Sequence, residues 1–467
     1  PEAELSQGLL ELTRSGLVES RGLPPHSEYL FKHALIRDAA YESVLKRERE
    51  ALHRQIATVL RERFSELQEK EPELLAHHLT QSGAALEAIP LWAAAGQRAA
   101  SRAAHVEAVG HLYTALELLR RQPPGAERAA AELPLLFGLA VSLSASQGYA
   151  APEVGRVLAE ARVICDAMGN VPELFAVLRN ACSFYIVAVE MGPASETARL
   201  CLDMASQTDL PEHRIESQYA QGYLLYMRGE LPEARKYLEN AGELYRRHNG
   251  AQLVFPSPQD PLVGSLGALM HVVNHLGDEA GAERVEQELE AHVRRLGRDY
   301  DLGYALCFQA HLASTRRNYA RLRARADEGL TVCNDRSYPL FGAIASFYKG
   351  VAIAHLEDED AGLHMAMSAF NALERLGCKL ARGERLHEIG RIRMAMGDLD
   401  DALSVIDVAI ADAISSGELL PLTMLRRTRA EILDGAERLT PARAAKVRAA
   451  IVQTTEDHGA AAGAPRK

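Results

Sequence analysis

Small and large side chains recur in one fixed phase along this chain, and that phase limits what the chain can fold into. Counting from a glycine, a small residue follows 12 positions later, another apolar residue after 16 and alanine after 19. Four registers carry this order: Gly96, Ala108, Leu112 and Ala115; Gly222, Ala234, Leu238 and Ala241; Gly350, Gly362, Ala366 and Ala369; and Gly390, Ala402, Ile406 and Ala409. Small side chains let two helices approach closely, so the pattern predicts stacked helical hairpins.

This order of small and large residues resembles the tetratricopeptide repeat. The resemblance places the glycine and the first small residue where the two helices of a hairpin cross, and the other two residues against the next repeat. One hairpin cannot bury its own apolar face, so neighbours must stack. We therefore expect an all-α, tetratricopeptide-like, right-handed superhelical solenoid of about eight hairpins over residues 84–435. Weaker units fill its gaps, at about 132–168, 173–207, 262–296 and 301–333.

The first 83 residues follow a different pattern. A helix, two short strand-like runs around a Gly/Pro turn, and two further helices are indicated, over 5–14, 17–20, 28–31, 34–45 and 48–67. This order is that of a winged helix, so we expect a small N-terminal winged-helix-like segment with linking helices over residues 1–83. Residues 436–467 are expected to form a terminal helix and a disordered tail, because apolar periodicity ends near Glu456.

Charge and composition narrow the class of protein. The net charge of −11 argues against nucleic-acid or anionic-membrane binding, both of which favour a positive field. No stretch approaches 18 apolar residues and no secretion signal opens the chain, so we expect a cytoplasmic protein without a membrane span. Six irregularly spaced cysteines without a CxxC motif indicate buried thiols in a reducing compartment. Residue 1 is Pro and the first methionine is Met168, so we expect a piece of a longer protein.

Two sequence runs carry a more specific resemblance: YLFKHALIRDAAYES over residues 29–43 and GYAAPEV over residues 148–154. They resemble the region behind the ATPase module of bacterial signalling proteins that join a class III adenylate/guanylate cyclase, a STAND-type P-loop ATPase and a tetratricopeptide tail. Shorter matches lie at 52–57, 73–78, 92–99 and 426–433. Related tails occur in serine/threonine kinases and in LuxR/MalT-like transcription regulators, so the resemblance leaves the upstream domain open.

The resemblance implies a regulatory interaction module rather than an enzyme. It implies a protein or peptide ligand in a concave groove, and ATPase and cyclase domains upstream in cis. The chain contains no G-x-x-x-x-G-K-[ST] phosphate loop, and no cyclase metal site can be placed in it. We therefore expect no cofactor here, with ATP and Mg confined to the upstream domains. An enzyme within the chain would need convergent polar residues in a pocket, and the sequence indicates none.

Six residues are candidates for ligand contacts. Tyr219, Tyr223 and Tyr226 lie at i, i+4 and i+7, on the inner face of a first helix, where they would either anchor a peptide or pack against the next repeat. His387 and Arg391 occupy the comparable face of the last clear repeat, as groove contacts or as part of a solvated face. His33 lies in the resembling run, which implies a winged-helix histidine that faces a nucleotide; otherwise it satisfies local backbone groups at a strand end.

Three further runs favour structural roles. His77 and His78 are adjacent on a helix and point about 100° apart, so they cannot easily share a metal ion. The basic run over 316–325 suits either an acidic partner or, as we favour, a solvated helix face. The acidic run over 357–360 suits the turn before a helix, whose N-terminal dipole favours negative charge.

Overall fold

The structure, a computed structural model, describes residues 2–22, 27–169, 173–336 and 338–437. The chain folds as two units. The N-terminal unit comprises Pro1–Ala95 and Thr114–Gln122, and the solenoid unit comprises Gly96–Tyr113 and Pro123–Lys467. The tail expected near the C-terminus lies outside the described residues.

The N-terminal unit begins with a helix, a two-stranded hairpin and four further helices. Its elements are α1 (Glu2–Arg14), β1 (Val18–Arg21), β2 (Glu28–Phe31), α2 (Ala34–Ser43), α3 (Lys46–Arg63), α4 (Ser65–Lys70) and α5 (Pro72–Gln81). The two strands pair antiparallel, with Val18 opposite Phe31 and Arg21 opposite Glu28. They are the only strands in the described part of the chain, which agrees with a small winged-helix-like segment before an all-α body.

The remaining described chain is a series of helix–turn–helix pairs, a tetratricopeptide-like solenoid. The pairs are α6 (Ala85–Ser101) and α7 (His105–Arg120), α8 (Ala126–Gln147) and α9 (Pro152–Met168), α10 (Glu173–Ala188) and α11 (Met191–Ser206), α12 (Pro211–Met227) and α13 (Leu231–Arg247), α14 (Pro261–His275) and α15 (Glu279–Leu296), α16 (Asp299–Thr315) and α17 (Tyr319–Arg336), α18 (Pro339–Leu356) and α19 (Glu359–Arg375), and α20 (Arg382–Ala395) and α21 (Leu399–Ser416). The helix α22 (Leu422–Glu437) follows them.

The phased glycines lie where the two helices of one hairpin touch. A Cβ atom added to Gly222 would lie 2.8 Å from Cγ of Leu238, and one added to Gly390 would lie 2.8 Å from Cδ1 of Ile406. The large apolar residue therefore fills the space over the glycine of its own hairpin, a contact that the expectation of packing against the next repeat did not include. Leu112 does both, because it also lies 3.2 Å from the Cβ position of Gly138 on α8.

Helix starts follow the acidic residues of the turns. Asp260, Asp278 and Asp358 precede α14, α15 and α19, and each side chain accepts hydrogen bonds from backbone N–H groups of the first turn. These caps satisfy donors that have no partner within the helix. The acidic run over 357–360 therefore begins a helix, as its composition predicts.

Two described helices, α8 and α18, are long and apolar enough to cross a bilayer by length and composition. This corrects the expectation that no segment would pass that test. At least half of the apolar window in each is buried inside the protein, and core helices of soluble proteins pass the same test.

Candidate functional site

First helices of successive hairpins surround a cavity of about 120 Å³ in the solenoid unit. Its walls come from α10, α12, α16 and α18, from the chain around the start of α20, and from Tyr149 in the α8–α9 turn. Most of the wall is apolar or aromatic, and a few polar groups project into it. This composition is typical of ligand pockets in proteins.

The tyrosine stripe of α12 forms one wall of this cavity. Tyr219, Tyr223 and Tyr226 are 4%, 7% and 4% exposed, and adjacent rings in the stripe contact each other edge to face at centroid distances of 6.1 and 5.9 Å. Tyr223 also contacts Phe308 of α16. The stripe therefore lies on the inner face that the repeat register predicts, and it both packs against another hairpin and lines the cavity.

A buried ion pair closes the α10 side of the cavity. Nε of Arg179 donates to Glu216 at 2.7 Å, and these side chains are 2% and 0% exposed. The guanidinium also donates to Ser183 Oγ at 2.6 Å and lies 5.1 Å above the ring of Tyr219. Burial raises the pKa of Glu216, and the facing guanidinium opposes that rise. The two charges offset each other at this end.

The GYAAPEV run places a buried tyrosine at the same end. Gly148 has a φ of 104°, a conformation that favours glycine, and the turn it makes precedes Tyr149. The Tyr149 hydroxyl donates to Gln259 Oε1 at 2.6 Å and accepts from the hydroxyl of Tyr300 at 2.8 Å. Burial raises the pKa of Tyr149 well above its usual value. The turn thus joins three hairpins across the inner face.

Carboxylates lie at the opposite end, near α20. Glu384 lines the cavity with its side chain 12% exposed, and Glu418 accepts from the backbone N–H of Ala381 at 3.0 Å. The neighbouring Arg385 donates to the carbonyls of Leu380 and Cys378 at 2.7 and 3.0 Å. Burial raises the pKa of Glu384, and burial followed by repulsion from Glu384 raises that of Glu418 to about 8.

Three histidines lie close to this acidic end. Nε2 of His271 donates to the carbonyl of Phe308 at 3.0 Å, and its ring lies 4.5 Å from that of His311. Nε2 of His311 lies 3.8 Å from Glu384. Burial lowers the pKa values of all three histidines, that of His311 to about 4 and those of His271 and His275 in the same direction. These rings are therefore neutral near pH 7.

The other candidate residues of the solenoid unit lie outside the cavity wall. His387 is 4% exposed, with Nε2 2.8 Å from Thr428 Oγ1, and burial lowers its pKa to about 3. Arg391 is half-buried, 3.7 Å from Glu388. His387 therefore does not lie on a solvated face, which was one of the two alternatives for this pair. The structure does not bring this pair together with the tyrosines.

The basic run over 316–325 is held by acidic neighbours. Arg316 and Arg321 reach Glu283 of α15 at 3.2 and 3.3 Å, and Arg323 reaches Asp327 at 2.8 Å. The side chain of each of these arginines is at least two-thirds buried. The run therefore joins neighbouring helices through ion pairs and is less exposed than the solvated face we favoured.

The histidines of the N-terminal unit form a cluster that the sequence did not indicate. Nδ1 of His53 lies 2.8 Å from Nδ1 of His78, and Nε2 of His53 lies 3.0 Å from the hydroxyl of Tyr41. Burial lowers the pKa of His78 to about 4. His33 is exposed at the start of α2 and makes no side-chain cap. No group of three or more potential ligands fit for a metal occurs among the described residues.

Sequence reasoning missed several groups of the cavity. Arg179, Tyr304 and Glu384 lie in separate hairpins, and no local motif links them. The one available signal was a charged residue inside the otherwise apolar first-helix stretch around Arg179, because a charge there needs a partner. Tyr149 was noticed only as part of a resembling run.

No protein-family model matches the chain. A relative, an uncharacterized protein of Rhizobium meliloti (strain 1021), is 23% identical over 455 residues, which are 97% of this chain and 44% of the relative. The chain thus spans less than half the length of the curated relative it matches.

Solved structures with similar architecture are helical solenoids. A Rap protein complexed with Competence and Sporulation Factor matches with a TM-score of 0.50 and 9% identity, covering 75% of this chain and 98% of that one. NprR in complex with its cognate peptide NprX matches with a TM-score of 0.46 and 12% identity, covering 66% and 85%. At this identity the first likeness shows the fold, a tetratricopeptide-like solenoid.

Proposed function

We propose that the solenoid unit is a regulatory interaction module that binds a peptide or protein segment on the inner face of its first helices. The observation that carries the proposal is the aromatic cavity, whose wall contains the tyrosine stripe of α12. Buried tyrosines offer large contact area and a polar tip, and such residues dominate the energetics of many interfaces. The inner face of stacked repeats is also where such proteins present extended binding surfaces.

The size of the cavity suits an anchoring side chain. At about 120 Å³ it is comparable to a cavity of about 150 Å³ that holds benzene in another protein. One large side chain of a ligand therefore fits inside, while the rest of the segment lies over the rim. The Rap structure, solved with Competence and Sporulation Factor, supports a ligand-binding role for a solenoid of this fold.

The wider setting we propose is a multidomain signalling protein. The resembling runs favour an adenylate/guanylate cyclase with an ATP-binding STAND domain upstream, in the cytoplasm. The alternative is the tail of a LuxR/MalT-like regulator or of a serine/threonine kinase. The sequence encoded upstream of Pro1 decides between them: a P-loop and a cyclase domain favour the first, and a kinase domain the second.

We also propose that an upstream domain of the same protein covers the N-terminal unit. Several large apolar side chains of this unit are exposed: Leu30, Phe31, Leu35, Leu45, Leu52 and Phe64. Exposed apolar clusters of this kind mark interaction surfaces. In a protein that carries such an upstream domain, hydrogen exchange at α2 and β2 should be slower than in this chain alone. Equal exchange rates would contradict the proposal that the domain covers this unit.

The binding proposal is tested by selection followed by paired substitutions. Peptides selected against the full chain by phage display are titrated against the wild type, Tyr223→Ala and Tyr237→Ala. Tyr237 lies on the second helix α13, outside the cavity wall, and serves as the matched control. We expect Tyr223→Ala to weaken binding about 30-fold or more, a loss of about 2 kcal/mol, and Tyr237→Ala to leave it unchanged. Equal affinities, or no selected peptide, would contradict the proposal.

A further inference from the structure

Three tyrosine hydroxyls at the acidic end of the cavity lack protein partners. Tyr223, Tyr226 and Tyr348 are 7%, 4% and 5% exposed and line the cavity. Within the part of the chain that the structure describes, their ring contacts are recorded but no hydrogen bond reaches their hydroxyls. These hydroxyls are therefore open to the space of the cavity, where water or a polar ligand can form hydrogen bonds with them.

The carboxylate of Glu384 lines this end, and no cation among the described residues lies within hydrogen-bond distance of it; Nε2 of His311 is 3.8 Å away. Burial and repulsion from Glu384 raise the pKa of Glu418 to about 8, so Glu418 adds little negative charge near pH 7. The guanidinium of Arg385 donates to two backbone carbonyls and not to the carboxylate of Glu384. Since burial keeps His311 neutral, it adds no positive charge beside Glu384.

The opposite end offers no net charge to a ligand. The guanidinium of Arg179 is bonded to the carboxylate of Glu216 at 2.7 Å. An anion entering the cavity would find this cation already paired and would face Glu384 at the other end. A cation would find the carboxylate of Glu384 and three tyrosine rings in the wall. Rings of tyrosine attract cations by about 0.5–2 kcal/mol each, depending on desolvation.

We infer that the cavity binds an alkylammonium group, held by the carboxylate of Glu384 among the rings of Tyr223, Tyr226 and Tyr348. The group is supplied by the bound peptide as a lysine side chain or as its amino terminus, so the inference rests on the proposed function. A charge-assisted hydrogen bond to Glu384 and further bonds to the tyrosine hydroxyls use the three donors of the ammonium.

A small probe tests the site without a peptide. Pentylammonium, the neutral pentanol and the anionic pentanoate are titrated against the full chain, and ligand proton shifts are followed by NMR, since aromatic ring currents move them. We expect pentylammonium to bind at least 10-fold more tightly than pentanol and pentanoate not to bind. Equal binding of ammonium and alcohol, or no binding of pentylammonium, would overturn the inference.

Substitutions locate the site. Glu384→Gln should weaken pentylammonium binding at least 10-fold and leave pentanol binding unchanged. Glu286→Gln is the matched control, because Glu286 is also a buried carboxylate but faces Arg321 outside this cavity. Retained binding in Glu384→Gln, or equal loss in both variants, would overturn the assignment. Melting curves of both variants verify that each is folded.

The pH dependence gives a second readout. A cation favours the charged forms of Glu384 and of the neighbouring Glu418, so its affinity should rise with pH through about 8, where Glu418 titrates. Pentylammonium stays protonated there, as lysine does with a pKa of about 10.4. The groups facing Glu384 are His275, His311, Arg385 and Glu418, besides the tyrosines. An affinity that falls over this range would contradict the site.

Peptide variants separate this inference from the proposed function. In a selected peptide, lysine is replaced by norleucine in one arm and the amino terminus is acetylated in another. The change that weakens peptide binding identifies whether the ammonium comes from the lysine side chain or from the amino terminus. A peptide that needs Tyr223 but tolerates both changes supports the proposed function and overturns the inference. Pentylammonium binding that depends on Glu384, without any selected peptide, supports the inference and overturns the peptide role.

Discussion

At the scale of single residues, the hairpin glycines are set by contact distance. A Cβ added to Gly350 would lie 2.5 Å from the backbone N of Ala366 and 2.8 Å from the carbonyl O of Gly362. Backbone atoms at this distance cannot rotate away as a side chain can. The glycine is therefore needed for the close approach of α18 and α19, which is why its phase could be read from the sequence.

The first prediction follows from this contact. Gly350→Ala should lower the free energy of unfolding by about 1–3 kcal/mol, the usual cost of overpacking. Gly110→Ala is the control, because Gly110 lies in α7 with nothing near its Cβ position, and alanine there should stabilise by about 0.5–1 kcal/mol. Denaturant unfolding of both variants measures the difference. A neutral Gly350→Ala would contradict the close approach.

The second prediction concerns the buried ion pair. Removing one partner, as in Arg179→Met or Glu216→Gln, leaves the other group buried without its counterpart. We expect each single variant to lower the free energy of unfolding by about 3–5 kcal/mol. The double variant should lose less than the two single losses together, because it leaves no unpaired charge. Denaturant unfolding of the wild type and the three variants gives a double-mutant cycle. If the two single losses in the free energy of unfolding simply add in the double variant, Arg179 and Glu216 are not coupled.

At the scale of elements, local patterns located the helices but not their distant contacts. The strand runs and the glycine registers predicted the hairpin β1–β2 and the pairs α12–α13 and α20–α21. Local spacing could not predict that the hydroxyls of Tyr149 and Tyr300 meet across 151 positions. That contact depends on small rotations between successive hairpins, which accumulate along the chain. The same holds for Glu384, whose neighbours come from separate hairpins.

The third prediction tests the turn contact across the inner face. A Cβ on Gly377 would lie 2.7 Å from the carbonyl O of Ala150, and Gly377 has a φ of 72°. Gly377→Ala therefore adds a clash to backbone strain, whereas Gly297→Ala, at a φ of 64° with nothing nearby, adds strain alone. We expect Gly377→Ala to lower the melting temperature more. Equal shifts would show that the turns at 150 and 377 do not touch.

At the scale of the whole chain, buried histidines should make the protein sensitive to acid. Burial lowers the pKa values of seven histidines of the solenoid unit: His105, His213, His271, His275, His311, His355 and His387. Below about pH 6.5 the unfolded chain binds protons at these sites and the folded chain does not. The contribution of these histidines to stability should therefore fall as the pH drops from about 6.5 towards 4, whereas buried carboxyl groups with raised pKa values, such as Glu384 and Glu418, act in the opposite direction.

The fourth prediction isolates one of these sites. His387, with a pKa of about 3, contributes a slope of up to about 1.4 kcal/mol per pH unit between its folded and unfolded values. His387→Gln should flatten the dependence of the melting temperature on pH in this range. His364→Gln, at an exposed position of α19, should leave it as in the wild type. An unchanged slope in His387→Gln would show that this histidine does not titrate as described.

The central claim, that a ligand segment binds among the first helices, is tested most directly by photo-crosslinking. A selected peptide with a photoreactive residue is crosslinked to the full chain, and the modified positions are mapped by mass spectrometry. The account predicts crosslinks on the cavity-lining helices α12, α16 and α18 that decrease when pentylammonium is added in excess. Crosslinks confined to the second helices, such as α13, α17 and α19, would contradict it.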